Sequence, residues 1–335
     1  MTAAATTIPV GEDGTPVFEL PAELAIDTDI ARRVIGEFIR AQLHQAGFER
    51  AVLGLSGGID SALVAFLVAE AIGPERMLCV KMPSRTSSPA SQADAEAVVA
   101  ALGCSSELVP IGPMVDGYFG TNDAAGPRAP DLDRGRGTGG VGAPGGTGTA
   151  GGTGAAGASG LEASPLRRGN FAARMRMAVL YDRSVTWGGL VVGTGNKTES
   201  LIGYTTLFGD SACAFNPIGD LYKSQVRQLA VAMGVPAAVI AKAPSADLWP
   251  GQTDEEEAGF SYPHLDRLLF WRIDKRRSVE EAVALGFDPE LVARVDGMVA
   301  GAEFKRQVPP VAKLGPRTAG VDYLYPRRRP GSIRS

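Results

Sequence analysis

The sequence predicts an α/β fold, an open, doubly wound parallel sheet with a small C-terminal helical lobe. Short apolar runs alternate with longer helical segments, at a spacing typical of parallel strands joined by crossover helices. From Pro263 onward the pattern is mostly helical. A chain of 335 residues suits one large domain with an appendage.

The first elements form a helix followed by a βα unit. A helix at 28–46 carries two adjacent i, i+4 rows of apolar residues, and Gly47 is placed to end it. A buried strand is expected at 51–55, and the next helix, at 60–71, ends before Gly73.

The alternation then continues to the C-terminal lobe. Further strands are expected at 77–82, 107–111 and 190–192. Further helices are expected at 90–102, 166–187 and 222–233. In the lobe, Ser278 and Glu281 have the spacing of a capping box, which marks a helix start.

Three segments differ in composition from the main domain, which we place at 25–320. Residues 1–24 are rich in Pro, Ala and Thr and are expected to lie loosely on the surface, and 321–335 form a basic tail. An insertion at about 124–164 interrupts the domain. Between 135 and 160, 13 of 26 residues are glycine, so this segment has little to bury and is expected to be disordered.

Composition excludes several classes of protein. The net charge of −4 gives no positive field that would favour nucleic acid. Three cysteines without a CxxC pair and only two histidines argue against a disulfide scaffold or a multi-histidine metal site. The N-terminus lacks a signal-peptide pattern, and the most apolar stretch, 62–72, is too short to span a bilayer. We expect a soluble, cytoplasmic protein that binds neither nucleic acid nor membrane.

A glycine-rich turn, SGGIDS at 56–61, joins the first strand to the next helix. Adjacent glycines let backbone amides approach a ligand, and a helix N-terminus attracts anions. Asp60 fits a phosphate site if it binds Mg²⁺ that in turn binds phosphate. The alternative is a plain βα turn in which Asp60 or Ser61 only caps the helix. The GxxxxGK[ST] pattern of a Walker A loop is absent.

The turn resembles the pyrophosphate-binding loop of the N-type ATP pyrophosphatases. Later segments narrow the resemblance to the NAD synthetase family, over about residues 28–314 without the insertion. They are RGNFAARMRM at 168–177, GTGNKTESLIGY at 193–204, NPIGDLYKSQVR at 216–227, APSADLW at 243–249 and FKRQ at 304–307.

The resemblance implies an adenine nucleotide alpha hydrolase-like fold and a ligase reaction. The carboxylate of deamido-NAD attacks ATP to give NAD-adenylate and pyrophosphate, and ammonia then displaces AMP to give NAD. Mg²⁺ is the implied cofactor, and related enzymes are homodimers that share the dinucleotide site across the interface.

The resemblance also implies roles for individual residues. Asp60 and Lys223 would be catalytic, Asp60 and Glu199 would hold Mg²⁺, and Arg174 and Lys305 would bind deamido-NAD. ATP would contact the turn and three later residues: Gly54, Leu55, Ser56, Gly57, Gly58, Ile59, Asp60, Ser61, Thr194, Lys223 and Ser245.

Ordinary structural roles remain open for these residues. Glu199 would also suit a helix N-terminus without a metal, Lys223 an exposed helix surface, and Ser245 a turn or N-cap. Arg174 could pair along its helix, although we expect Arg176 to be the surface arginine.

Some positions depart from the family pattern. Phe304 stands where many members have histidine, and Leu207 and Ala214 stand where some have lysine and aspartate, so dinucleotide contacts there are not carried over. Phe171 and Tyr181 could stack on a ligand ring, but helical aromatics are more often core.

No cysteine precedes the SGGIDS turn, so a glutaminase nucleophile is not expected there. Ammonia would be free or delivered by a separate donor protein. Two rivals remain at this stage. One is another N-type ATP pyrophosphatase, such as a tRNA-modifying enzyme, and the other is a catalytically decayed nucleotide-binding protein.

Overall fold

The computed structural model describes residues 20–122, 165–243 and 260–319. The predicted N-terminal extension up to residue 19, the whole of the glycine-rich insertion at 124–164, Ser245 and the basic tail lie outside these residues.

Four parallel strands form the sheet: β1 (Arg50–Gly54), β2 (Met77–Lys81), β3 (Ser105–Leu108) and β4 (Gly189–Val192). Their order is β3-β2-β1-β4, and Ala51 lies opposite Met77 on one side and Leu190 on the other. The chain therefore moves outward from β1 to β3 and returns to the other side of β1. Such a reversal opens a crevice at the carboxyl ends of the strands, where ligands of open α/β sheets bind.

Helices cover the sheet and build the C-terminal lobe. Their bounds are α1 (Thr28–Ala46), α2 (Ile59–Ile72), α3 (Pro89–Leu102), α4 (Gly112–Asn122), α5 (Pro165–Trp187), α6 (Lys197–Ile202), α7 (Lys223–Ala232), α8 (Ala237–Ala241), α9 (Tyr262–Leu269), α10 (Val279–Ala284) and α11 (Pro289–Gly301).

The two faces of the sheet have separate cores, because successive side chains of a strand point to opposite faces. Ala51 and Leu53 of β1 pack with α1, α2 and α7, whereas Val52 packs with α4 and α5. The predicted parallel sheet with helices on both faces is confirmed. A third core holds the C-terminal lobe together, around Leu265, Leu268 and Val295.

β3 and α4 differ from the predicted elements. β3 lies at Ser105–Leu108 rather than 107–111, because it is an edge strand held by backbone pairing to β2 and is largely exposed. α4 was not predicted, since glycines and a proline lower its helix propensity. It forms because Ile111, Val115 and Phe119 make a buried i, i+4 row.

The last residues of the expected loose extension are packed. Leu24 is buried in the core of the C-terminal lobe. The Glu23 Oε1 atom accepts hydrogen bonds from Arg267 Nε (2.6 Å) and Trp271 Nε1 (3.2 Å). Residues 20–24 thus join this lobe. No helix in the part of the chain that the structure describes is long and apolar enough to cross a membrane.

Candidate active site

The glycine-rich turn connects β1 to α2 at the carboxyl edge of the sheet. Gly57 has φ +79°, and a Cβ atom on it would lie 2.0 Å from the carbonyl oxygen of Ser91. Both the backbone conformation and the close approach of α3 therefore require glycine. Ser61 Oγ donates to Gly58 O at 3.0 Å, and Ser56 Oγ accepts from Gly58 N at 3.2 Å. The serine hydroxyls thus hold the loop in shape.

A buried lysine joins two carboxylates beside this turn. Lys223 Nζ lies 2.5 Å from Asp60 Oδ2 and 3.0 Å from Glu199 Oε1. Lys223 is only 3% exposed, and the three residues lie in the first turns of α7, α2 and α6. The structure therefore brings together residues that lie 163 and 24 positions apart in sequence.

The side-chain amide of Asn196 connects the Asp60 carboxylate to the backbone of Glu199. Its Nδ2 donates to Asp60 Oδ1 at 2.9 Å, and its Oδ1 accepts from the backbone N–H of Glu199 at 3.0 Å. Asn196 is fully buried and serves as the N-cap of α6. Asn196 belongs to the GTGNKTESLIGY segment, whose sequence predicted no role for it.

The donor set suits a magnesium ion shared with phosphate. Asp60 and Glu199 converge on one cation, the ammonium group of Lys223. Mg²⁺ usually takes one or two protein carboxylates together with phosphate and water. Among the described residues, no group of three or more His, Cys, Asp or Glu side chains could hold a metal by itself. The two carboxylates therefore fit Mg²⁺ that arrives with a nucleotide.

A cavity of about 350 Å³ opens at this edge of the sheet. Most of the predicted nucleotide and metal residues line it: Gly54, Leu55, Ser56, Gly58, Ile59, Asp60, Ser61, Thr194, Glu199 and Lys223. Leu166 and Asn170, which flank the insertion, line it as well. The structure places the predicted phosphate residues around one space.

The two predicted dinucleotide residues contact a neighbouring loop. Arg174 Nη2 donates to the carbonyl oxygen of Leu207 at 3.2 Å. Lys305 Nζ donates to the carbonyl oxygens of Gly203 (2.7 Å) and Thr205 (2.9 Å), and burial lowers the pKa of this lysine. Arg174 and Lys305 do not themselves line the described cavity, but they hold the loop whose Thr205 and Thr206 do.

Arg176 is not the surface arginine that the sequence analysis expected. It lines the cavity, and its Nε donates to the carbonyl oxygen of Met82 at 3.2 Å. The reason is helical spacing, because Ala173, Met177 and Leu180 lie on the same face of α5 and also line the cavity.

Two other lysines at the cavity were missed by the sequence analysis. Lys242 Nζ contacts Ser91 Oγ at 2.7 Å and Asp94 Oδ2 at 3.0 Å. Lys81, the last residue of β2, pairs with Glu96. Two features of the sequence could have pointed to them: Lys81 ends a buried strand, and Lys242 directly precedes the APSADLW segment.

The two aromatic side chains considered as ring-stacking groups have other surroundings. Phe171 stacks on Tyr118 with ring centroids 4.2 Å apart and packs against the core that contains Phe119. Tyr181 is 39% exposed on the same helix. Phe171 is therefore part of the packing around the core, which was the alternative to a ring-stacking role.

Fold and site together define a nucleotide-binding α/β enzyme. A glycine turn leads into a helix at the reversal point of a parallel sheet, and two carboxylates and a lysine lie at its end. The model of the NAD synthase family matches residues 31–133 and 155–309. The chain therefore belongs to the NAD synthase family.

Individual relatives agree with this assignment. The chain is 46% identical over 306 residues to an NH(3)-dependent NAD(+) synthetase of Trichlorobacter lovleyi, which covers 91% of this chain and 98% of that protein. Among solved structures, the NH3-dependent NAD synthetase of Campylobacter jejuni matches with a TM-score of 0.63, 29% identity, and coverage of 86% of this chain and 100% of that one. An NMN synthetase of Francisella tularensis matches with a TM-score of 0.66, 25% identity, and coverage of 86% and 99%.

Proposed function

We propose that this enzyme amidates deamido-NAD to NAD with ammonia and converts ATP to AMP and pyrophosphate. The observation that carries the proposal is the contact of Lys223 with Asp60 and Glu199 at the end of the phosphate turn. The relatives named NH(3)-dependent NAD(+) synthetase support ammonia as the nitrogen source. The family match favours this function over a tRNA-modifying enzyme or a decayed nucleotide-binding protein.

The reaction has two balanced steps. An oxygen of the nicotinate carboxylate forms a bond to the α-phosphorus of ATP, and the bond to pyrophosphate breaks. Ammonia then bonds to the carbonyl carbon of NAD-adenylate, AMP leaves with the bonding electron pair, and the nitrogen loses a proton. Two anions must meet in the first step, so positioning and charge neutralisation are the main demands on the protein.

The phosphate end of the cavity meets that demand. Asp60 and Glu199 would hold Mg²⁺, which supplies positive charge to the phosphate oxygens. The ammonium group of Lys223 faces the same space and would bind phosphate oxygens of ATP. Backbone amides of the turn and the hydroxyl of Thr194 complete the proposed ATP contacts, and Ser245, outside the described residues, remains part of them.

At the other end, we assign the dinucleotide to Arg174, Lys305 and the loop that they support. Both side chains are cationic and suit phosphate or carboxylate groups. Their hydrogen bonds to Leu207 and Gly203 fix the loop that carries Thr205 into the cavity wall.

The proposal includes a homodimer, as the family resemblance implies. Ile30 and Val34 of α1 are 50% and 62% exposed and offer apolar surface for such contact. The molar mass in solution, measured by light scattering, would be twice that of the chain. A cytoplasmic location is also part of the proposal, because the substrate ATP is a cytoplasmic nucleotide.

The function is tested by measuring NAD formed from deamido-NAD and Mg-ATP with ammonium or with ammonium-free glutamine. We expect NAD with ammonium and little with glutamine, and equal rates would contradict an ammonia-dependent enzyme. The Francisella structure gives a reason to assay a second substrate, the deamidated form of NMN. A higher kcat/KM for that mononucleotide would replace deamido-NAD as the proposed substrate.

A further inference from the structure

A buried carboxylate of the C-terminal lobe lies directly behind the active-site cluster. Asp266, in α9, has no exposed surface. Its Oδ1 accepts a hydrogen bond from Thr198 Oγ1 at 2.5 Å. Its Oδ2 accepts two hydrogen bonds from Ser224, from the backbone N–H and from Oγ, each at 2.7 Å. Asp266 thus ties α9 to the first turns of both α6 and α7.

Each partner of Asp266 is the chain neighbour of a proposed catalytic-site residue. Thr198 precedes Glu199, and Ser224 follows Lys223. Thr198 Oγ1 also accepts a hydrogen bond from the backbone N–H of Lys223 at 3.0 Å. This hydroxyl therefore accepts a hydrogen bond from the Lys223 backbone and donates one to Asp266, which links the start of α7 to α9 through Thr198.

Packing alone does not require a carboxylate at this position. Leu265, Leu268 and Leu269 of the same helix form the apolar core of the lobe. An ionised carboxylate is costly to bury unless it is hydrogen-bonded, and burial raises the pKa of the Asp266 carboxyl group. The three hydrogen bonds to α6 and α7 offset that cost and place its charge near Lys223.

We propose that Asp266 is a positioning residue for the adenylation step, which holds Glu199 and Lys223 at the correct places opposite Asp60. The proposal rests on the function proposed above. If Asp266 only stabilised the lobe, its substitution would lower the melting temperature without a specific loss of turnover. If it is a positioning residue, its substitution also lowers kcat and weakens the binding of Mg-ATP.

Asp266→Asn in the full chain tests this role. The amide has the same shape, but its NH₂ group accepts no hydrogen bond, so the side chain can no longer accept from both Thr198 and Ser224. We expect kcat for NAD formation to fall about 10- to 100-fold, the usual cost of losing an outer partner of a ligating group. The KM for deamido-NAD should change less than about 3-fold, because the residues assigned to it, Arg174 and Lys305, donate to the loop at 203–207 rather than to this network. The rise in melting temperature caused by Mg-ATP should shrink, because it depends on the affinity for the ligand.

Asp296→Asn is the matched control in the same lobe. Asp296 accepts hydrogen bonds from Arg272 Nε (3.1 Å) and Nη2 (2.5 Å) in the C-terminal lobe. We expect this variant to have a lower melting temperature than the wild type but a kcat within about 2-fold of it. A kcat loss equal to that of Asp266→Asn would overturn the positioning role.

Thr198→Val provides a second, independent variant. It removes the hydroxyl that joins Asp266 to the backbone of Lys223, so the same loss of kcat is expected, and it decides the matter if Asp266→Asn does not fold. Folded variants at both positions with near wild-type kcat would overturn the proposal. A wild-type chain that makes no NAD would instead overturn the proposed function, and this proposal with it.

Discussion

The proposed phosphate end and the proposed dinucleotide end of the cavity are built in different ways. At the phosphate end, Asp60, Glu199 and Lys223 contact one another and face the cavity directly. At the dinucleotide end, Arg174 and Lys305 donate to backbone carbonyls of the loop at 203–207. At the first end, charged side chains line the cavity themselves. At the second, charged side chains stabilise a loop that lines it. Substitutions should therefore affect chemistry at one end and substrate affinity at the other.

The largest expected effect is at the two carboxylates. Asp60→Ala and Glu199→Ala should each lower kcat at least ~100-fold, since loss of charge stabilisation in a closed site commonly costs ~2.7–4 kcal/mol. Both should also alter the dependence of the rate on Mg²⁺ concentration. Glu37→Ala, at an exposed ion pair of α1, is the control and should keep full activity. Near wild-type rates in both active-site variants would show that the metal assignment is wrong.

Lys223→Ala and Arg174→Ala should have different kinetic defects, one at each end of the cavity. Lys223→Ala should suppress pyrophosphate release from Mg-ATP and deamido-NAD before ammonium is added, because the removed ammonium group faces the phosphate space. Arg174→Ala should instead raise the KM for deamido-NAD by roughly 10-fold, about 1.4 kcal/mol of binding. Titration of each substrate with both variants measures this difference, and identical defects would remove the distinction between the two ends.

Lys305→Ala should have a smaller effect than Arg174→Ala. Lys305 supports the loop through Gly203 and Thr205. We expect the KM for deamido-NAD to rise about 3-fold, with kcat nearly unchanged. Lys313→Ala, farther along the same C-terminal segment, is a control for loss of a positive charge. A fall in kcat to the level of the Lys223 variant would mean that Lys305 acts at the reaction centre.

The smallest expected effect belongs to the glycine-rich insertion. Deletion of 135–160 should leave the melting temperature and NAD synthesis near wild type, because its composition offers little with which to bind a ligand, and loop length changes the closure entropy slowly. The assay should measure AMP and NAD together. AMP produced without NAD by a folded deletion variant would show that the insertion protects the adenylate from water.

The sequence was sufficient to predict the parallel sheet and to single out Asp60, Glu199 and Lys223, which the structure brings into contact. A strand, a glycine turn and a helix are consecutive in the chain, so local pattern specifies Gly57 and Asp60 together. Glu199 follows β4 and Lys223 follows a turn at 217–220, and the family resemblance supplied their roles. β3 was misplaced because an edge strand is defined by pairing to its neighbour rather than by apolar side chains.

The supporting residues could not be predicted in this way. Asp266 lies 42 positions from Ser224 and 68 from Thr198, and a carboxylate in a helix has no pattern that reports a buried partner. The choice between Arg174 and Arg176 depends on which face of α5 meets the sheet, and both arginines have the same local surroundings in sequence. These features require the packed structure.

The central claim is that the nicotinate carboxylate of deamido-NAD attacks the α-phosphorus of ATP in this cavity. The most direct test uses deamido-NAD labelled with ¹⁸O in that carboxylate, with Mg-ATP and ammonium, and mass spectrometry of the AMP formed. If the carboxylate attacks in this way, one ¹⁸O atom is expected in the phosphate of each AMP released with NAD. AMP without ¹⁸O, formed at the same rate as NAD, would contradict it.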